Sequence, residues 1–124
     1  MLSKNIFGAS RVHLVEPLPY RRQLAQEWCD RIYDVADFFN DPPSSVDVVI
    51  EASGQLDNIS KIFRRLNANG RIALLARSGE PLLLDAIDHM ITNAISLVGS
   101  RGHLCGAFAK ILRLHENARL PLAK

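Results

Sequence analysis

The stretch Val46-Asp-Val-Val-Ile-Glu-Ala-Ser-Gly54 decides the fold of this chain. Its run of β-branched residues predicts a buried strand, and the small residues at its end predict the turn at which that strand leads into a helix. The helix is expected to turn four apolar side chains inward, those of Leu56, Ile59, Phe63 and Leu66. A buried strand followed by an amphipathic helix is the repeating unit of a parallel α/β sheet.

Similar units lie on both sides of this stretch. We predict strands at residues 11–16, 35–39, 71–76 and 95–99, and a short edge strand from Pro81 to Asp85. A turn is expected at residues 67–70, with Gly70 able to take positive φ. Two helices are expected to present the apolar faces Tyr20, Leu24, Trp28 and Ile32, and Leu104, Phe108, Ile111 and Leu112. The sequence therefore predicts one α/β domain over residues 1–124, with a mostly parallel sheet of about five strands.

Composition and charge exclude several classes of protein. The 124 residues carry a formal charge of +2, which is too small to favour a nucleic acid or an anionic membrane as a partner. No apolar run approaches the roughly 20 residues that span a bilayer, and the start of the chain lacks the apolar stretch of a secretory signal. The two cysteines, Cys29 and Cys105, lie far apart, which favours a reducing compartment over a disulfide framework. We therefore predict a cytoplasmic protein.

Four segments together resemble a known family. They are Gly8-Ala-Ser-Arg-Val-His-Leu-Val-Glu16, the stretch from Val46 to Gly54, Leu66-Asn-Ala-Asn-Gly-Arg-Ile-Ala-Leu-Leu75, and Ser96-Leu-Val-Gly-Ser-Arg-Gly-His103. In order and spacing they resemble the cofactor-binding domain of the zinc-type medium-chain alcohol and polyol dehydrogenases, over residues 8–122. The resemblance implies a Rossmann-like three-layer sandwich and hydride transfer between NAD and an alcohol or polyol as the parent activity.

The chain departs from the family at its beginning. In the family a strand, a Gly-rich turn and a helix precede the segment that matches Gly8 to Glu16, whereas seven residues precede it here. No two of the seven glycines are separated by one residue, so the sequence has no G-x-G turn to hold a pyrophosphate. Nothing matches the family's pattern of catalytic zinc ligands either, and the pair His103 and Cys105 is too small for a zinc site. We expect an incomplete fold, no catalytic residue, no zinc, and weak or lost NAD binding.

The resemblance also implies candidate cofactor contacts. Glu16 ends a strand where the family places an acid on the adenosine ribose, which implies NAD rather than NADP; the alternative is a solvated acid at a strand end. Arg21 would flank the adenine or lie exposed on a helix. Strand ends that line the nicotinamide in the family imply contacts from Ala52, Ser53, Gly54, Leu75, Ala76, Gly99 and Ser100. Arg77 and Arg101 follow two of these strands, and either attract a phosphate or a carboxylate or remain solvated.

A missing first strand has consequences for assembly. It is the central strand of a doubly wound sheet, so the strands at residues 11–16 and 46–52 would lose their common neighbour and expose unpaired backbone groups. They would then pair directly, or with residues 1–7, or with a second copy. The family dimerises through an edge strand that Pro81 to Asp85 resembles in position, which predicts a homo-oligomer with this seam. The alternatives are a non-catalytic dimerising module and one half of a split dehydrogenase that a second chain completes.

Overall fold

The structure is a computed structural model that describes residues 2–102 and 106–117. Strands and helices alternate along these residues, and every pair of neighbouring strands is parallel. The chain divides into two compact units, Met1–Asp41 with His103–Lys124, and Pro42–Gly102. No helix in the described ranges is both long enough and apolar enough to cross a membrane.

The first unit contains a two-stranded sheet. After α1 (Leu2–Asn5), strand β1 (His13–Val15) leads through α2 (Pro19–Ala25) to its parallel partner β2 (Arg31–Tyr33). Helix α3 (Val35–Asn40) follows directly, and α6 (Ala107–Glu116) also belongs to this unit. The buried rings of Tyr33 and Phe38 meet edge to face at 5.6 Å, so α3 packs against β2 through an aromatic pair.

Two predictions in this unit are wrong. Residues 35–39 form helix α3 rather than a strand, because the Asp34 side chain accepts a hydrogen bond from the Asp37 amide at 2.8 Å and so caps a helix start. The helix expected to carry four apolar residues to Ile32 ends at Ala25, and its Tyr20 and Leu24 side chains are exposed.

The early end of α2 has a long-range cause. Asp30 hydrogen-bonds Val12 twice, from its backbone amide at 2.8 Å and through its carboxylate at 2.7 Å. These bonds fix the chain beside β1, so Ile32 enters β2 rather than a helix. The Asp30 carboxylate also pairs with Lys4 at 2.5 Å, and this hydrogen bond, with that from Val12, lowers the pKa of Asp30.

The second unit contains a three-stranded sheet in the order β3–β4–β5. Its elements are β3 (Val46–Glu51), α4 (Asp57–Phe63), β4 (Leu66–Leu74), α5 (Ile87–Thr92) and β5 (Ser96–Gly99). The predicted strands at residues 46–52, 71–76 and 95–99 are therefore present. Helices α4 and α5 pack on one face of this sheet, around a core of Ile59, Phe63, Leu66, Ile72, Ala86 and Ile95.

The opposite face of this sheet is bare in the described chain. Register places Ile50 beside Ala73 and Ala73 beside Val98, on the face that points away from the core. Val48 is 60% exposed and Ile50 is 59% exposed, whereas Val46 and Val49 pack against the core, so the expected burial of this strand is found on one face only. Among the described residues, β1 and β3 each have one neighbouring strand. Leu2–Asn5 forms a helix, so it does not replace the missing central strand, which was one of the expected alternatives.

The start of β4 contains an irregularity rather than the predicted turn. The register with β3 shifts between Val46 and Val48, and Asn69 takes the positive φ (62°) that was expected of Gly70. Asparagine tolerates this conformation better than most residues. Gly70 is needed for another reason, because a Cβ there would lie 2.8 Å from the Asn67 carbonyl oxygen.

Residues 81–85 form no strand, so the predicted edge strand is wrong. The Ser60 hydroxyl donates to the Leu83 carbonyl at 2.6 Å, and the Arg64 guanidinium donates to the Asp85 carbonyl at 3.3 Å. Side chains in and beside α4 thus take the acceptors that a neighbouring strand would need. Leu82 and Leu84 pack against the core, whereas Leu83 is 72% exposed.

Candidate functional site

The turn after β3 is organised by a buried acid. Glu51 is 5% exposed, and its carboxylate accepts hydrogen bonds from the Ser53 amide at 2.7 Å and the Gly54 amide at 3.0 Å. The Ser53 hydroxyl donates to the same oxygen. Hydrogen bonds to a carboxylate are stronger than neutral ones, so Glu51 fixes the conformation of the turn. This role of Glu51 was not predicted from the sequence, and no local pattern indicates it.

The same turn is joined to the loop after β4. The Glu51 carbonyl accepts a hydrogen bond from the Leu75 amide at 2.8 Å, and Gly54 lies against the Arg77 carbonyl. A Cβ at Gly54 would come within 2.9 Å of that oxygen, and its φ of +78° also favours glycine. Ser53 and Gly54 are therefore brought close to Leu75 and Ala76, as the sequence predicted from shared strand ends. Ala52 lies exposed within the turn.

The ends of β4 and β5 enclose an open cleft of about 470 Å³, which we call the β4–β5 cleft. The Ser100 amide donates to the Leu74 carbonyl at 2.8 Å and holds the two strand ends together. The structure thus places four of the predicted contacts in one cleft, together with the two arginines. Its lining residues are Leu74, Leu75, Ala76, Arg77, Gly99, Ser100, Arg101 and Gly102.

In the first unit, Glu16 follows the end of β1. One of its carboxylate oxygens accepts from the Leu18 amide at 2.9 Å, and the other lies 3.9 Å from an Arg21 nitrogen. The Arg21 guanidinium also donates to the Tyr20 hydroxyl at 3.0 Å; this hydrogen bond, with the nearby Glu16 charge, raises the pKa of Arg21. Glu16 keeps acceptor capacity for a further ligand, since a carboxylate has about four lone-pair sites.

The candidate metal ligands His103 and Cys105 lie outside the described residues. Among the residues that are described, no three of the His, Cys, Asp and Glu side chains are placed to hold a metal ion together.

Comparison with known proteins finds similarity in structure rather than in sequence. No family model matches the chain, and no curated protein matches it. An alcohol dehydrogenase from E. coli CFT073 in complex with NADH matches 96% of this chain and 36% of its own, at 15% identity and a TM-score of 0.81. An alcohol dehydrogenase zinc-binding domain protein from Burkholderia ambifaria matches 97% of this chain and 35% of its own, at 20% identity and a TM-score of 0.78.

A zinc-binding dehydrogenase from Sinorhizobium meliloti 1021 bound to NADP matches 93% of this chain and 36% of its own, at 21% identity and a TM-score of 0.78. The chain has the fold of part of a zinc-type alcohol dehydrogenase. It spans about a third of the length of these dehydrogenases. The resemblance inferred from the sequence and the incomplete Rossmann-like α/β fold are therefore confirmed.

Proposed function

We propose that this chain is the nucleotide-binding portion of an NAD-dependent alcohol or polyol dehydrogenase, and that it does not catalyse hydride transfer alone. The β4–β5 cleft carries the proposal, because open α/β sheets bind ligands at the carboxyl ends of their strands. Structural neighbours with NADH and NADP bound support a nicotinamide cofactor. The volume of the cleft is within the range of ligand pockets, about 300–1,000 Å³.

The residues of the chain fit parts of such a cofactor. Nicotinamide contacts are proposed for the turn after β3 and for the β4–β5 cleft, through Ala52, Ser53, Gly54, Leu75, Ala76, Gly99 and Ser100. Adenosine contacts are proposed for Glu16 and Arg21. The sequence has no G-x-G turn for the pyrophosphate, so we expect binding to be weak.

The preference for NAD over NADP rests on Glu16. A carboxylate at this position accepts hydrogen bonds from ribose hydroxyls and repels a 2′-phosphate. Arg21 lies at 3.9 Å from this carboxylate and is already hydrogen-bonded to Tyr20, so it is a poor replacement for a dedicated phosphate ligand. One structural neighbour has NADH bound and another has NADP bound, so the fold alone does not select between the two cofactors. We propose that Glu16 makes this chain favour NAD.

Titration of the isotope-labelled chain with NAD, followed by NMR, tests this proposal. At millimolar NAD we expect amide shifts at Gly54, Ala76 and Gly99, and smaller shifts with NADP. Glu16→Gln should remove the difference between the two dinucleotides, whereas Glu80→Gln, a matched change outside the proposed contacts, should leave it. Shifts that avoid these residues, or equal responses to both dinucleotides in the wild type, contradict the proposal.

A second candidate function, one half of a split dehydrogenase, is favoured by the bare side of the three-stranded sheet. Parallel sheets are normally covered on both faces, and an unpaired strand edge is a template for another chain. Strand β3 has a free edge in the described chain, and its Val48 and Ile50 are exposed beside it. We propose that a strand followed by a helix, from a complementary polypeptide, pairs with β3 and covers this face.

We also propose that the chain forms a homo-oligomer through the segment from Pro81 to Asp85, although this segment is not a strand. Leu83 is exposed in this segment, and Ile87 and Ile91 are exposed one turn apart on α5. We propose that these exposed apolar side chains contribute to the seam between the copies. We propose the cytoplasm as the compartment, since the two cysteines are far apart in sequence.

A further inference from the structure

The arginines of this chain fall into two groups. Five of the ten described arginines have a partner: Arg31 and Arg64 pair with carboxylates at 2.6 and 3.4 Å, and Arg21 lies 3.9 Å from Glu16. Arg22 and Arg65 donate to backbone carbonyls. Within residues 2–102 and 106–117, Arg77 and Arg101 have neither kind of partner.

Arg77 and Arg101 differ from the other unpaired arginines in where they lie. Arg11, Arg71 and Arg113 also lack a described partner, but none of them lines the β4–β5 cleft. Arg77 and Arg101 both line it, and none of the described aspartates or glutamates does. The cleft therefore holds two positive charges in one concave surface, which raises the local concentration of anions.

The buried acid Glu51 does not pair with the arginines of this cleft. The Glu51 carboxylate accepts its hydrogen bonds from Ser53 and Gly54, in the turn after β3. The rest of the lining is small or apolar apart from Ser100, so it offers little competition for a charged ligand.

We propose that the β4–β5 cleft binds an oxyanion, a phosphate or carboxylate group of the ligand, through Arg77 and Arg101. Planar guanidinium groups match both groups, because each can donate two parallel hydrogen bonds to them. This inference rests on the proposed function and deepens it, since it assigns an acidic substrate or an acidic part of the cofactor to the same cleft.

Titration of the full chain with sodium phosphate and, separately, sodium acetate tests the inference. Amide shifts are followed by NMR at constant ionic strength, with sodium chloride as the third arm. We expect saturable shifts at Arg77, Arg101 and Gly102 with millimolar phosphate, and none with chloride. Tighter binding of phosphate than acetate identifies a phosphoryl group as the preferred ligand, and the reverse order identifies a carboxylate.

Variants show whether the arginines carry the binding. Arg77→Gln and Arg101→Gln should each weaken it by about threefold or more, and the double variant should lose saturation. Arg113→Gln, which removes the same charge outside the cleft, should have no effect. The inference is overturned if the shifts do not saturate, if chloride reproduces them, or if they persist in the double variant. The comparison with chloride uses the wild type, so it tests the inference even if a variant fails to fold.

The NAD titration separates this inference from the proposed function. Phosphate binding that depends on the arginines, in a chain that shows no response to NAD at Gly54, supports the anion site and contradicts the dinucleotide site. A response to NAD without saturable binding of phosphate or acetate contradicts only the anion site.

Discussion

The two faces of the three-stranded sheet differ in what covers them. On one face, helices α4 and α5 bury the central residue Ile72 completely. On the other face, Val48, Ile50 and Val98 are exposed, although residues of this kind are typical of a strand that is buried on both sides. The difference indicates that β3 has the sequence of a central strand but has the surroundings of an edge strand.

Matched isoleucine substitutions should give the largest contrast between the faces. Ile72→Ala removes a fully buried side chain and should lower the free energy of unfolding by about 2–5 kcal/mol. Ile50→Ala, on the bare face, should cost about 1 kcal/mol or less, mainly through lower strand propensity. Urea denaturation of both variants measures the two losses. Equal losses would mean that Ile50 is covered in solution, by another copy or by the rest of the chain.

The next largest effect should come from the turn after β3. Gly54→Ala places a Cβ 2.9 Å from the Arg77 carbonyl at a φ of +78°, which should cost about 1–3 kcal/mol. A Cβ added at Gly79 would meet no atom within 4 Å, and its φ is not positive, so Gly79→Ala is the control and should be near neutral. Thermal unfolding compares them. A neutral Gly54→Ala would show that the turn and the loop after β4 are not held together.

The strands of the three-stranded sheet were predictable from local pattern, but their boundaries and surroundings were not, and strand β2 was not predicted. The strand at residues 46–52 was found because β-branched residues dominate it. Residues 35–39 have a pattern that suits a strand or a helix, and the Asp34 cap decides for the helix. Residues 81–85 were misassigned because their carbonyls bind Ser60 and Arg64, 23 and 21 residues away, and such long-range bonds leave no local pattern.

The candidate site was predictable to a similar degree. The positions of Leu75, Ala76, Gly99 and Ser100 followed from the rule that ligands bind at strand ends, and the structure brings them together. The role of Glu51 did not follow, because an acid at a strand end is usually solvated. Its burial depends on amide groups of the next turn that point at it, which sequence pattern does not reveal.

A substitution in the proposed seam should have the smallest effect on stability but a clear effect on assembly. We expect the wild-type chain to be a homodimer or larger at micromolar concentration, and Leu83→Lys to shift it towards monomer. Leu24→Lys is the matched control, since Leu24 and Leu83 are both 72% exposed and Leu24 lies on α2. Light scattering measures the masses. A monomeric wild type would contradict the proposed homo-oligomer. A shift towards monomer in Leu24→Lys but not in Leu83→Lys would indicate that the interface lies in the first unit.

The affinity for NADH tests most directly the claim that this chain holds an incomplete cofactor site. On the proposed function, this sequence has no G-x-G turn to donate several charge-assisted hydrogen bonds to the pyrophosphate, each worth about 1.5–3 kcal/mol. Losing two or three of them moves a micromolar site into the millimolar range. Fluorescence titration with NADH should therefore give a dissociation constant in the millimolar range or weaker. A micromolar constant in the wild type that Glu16→Gln weakens and Glu80→Gln does not would contradict the account.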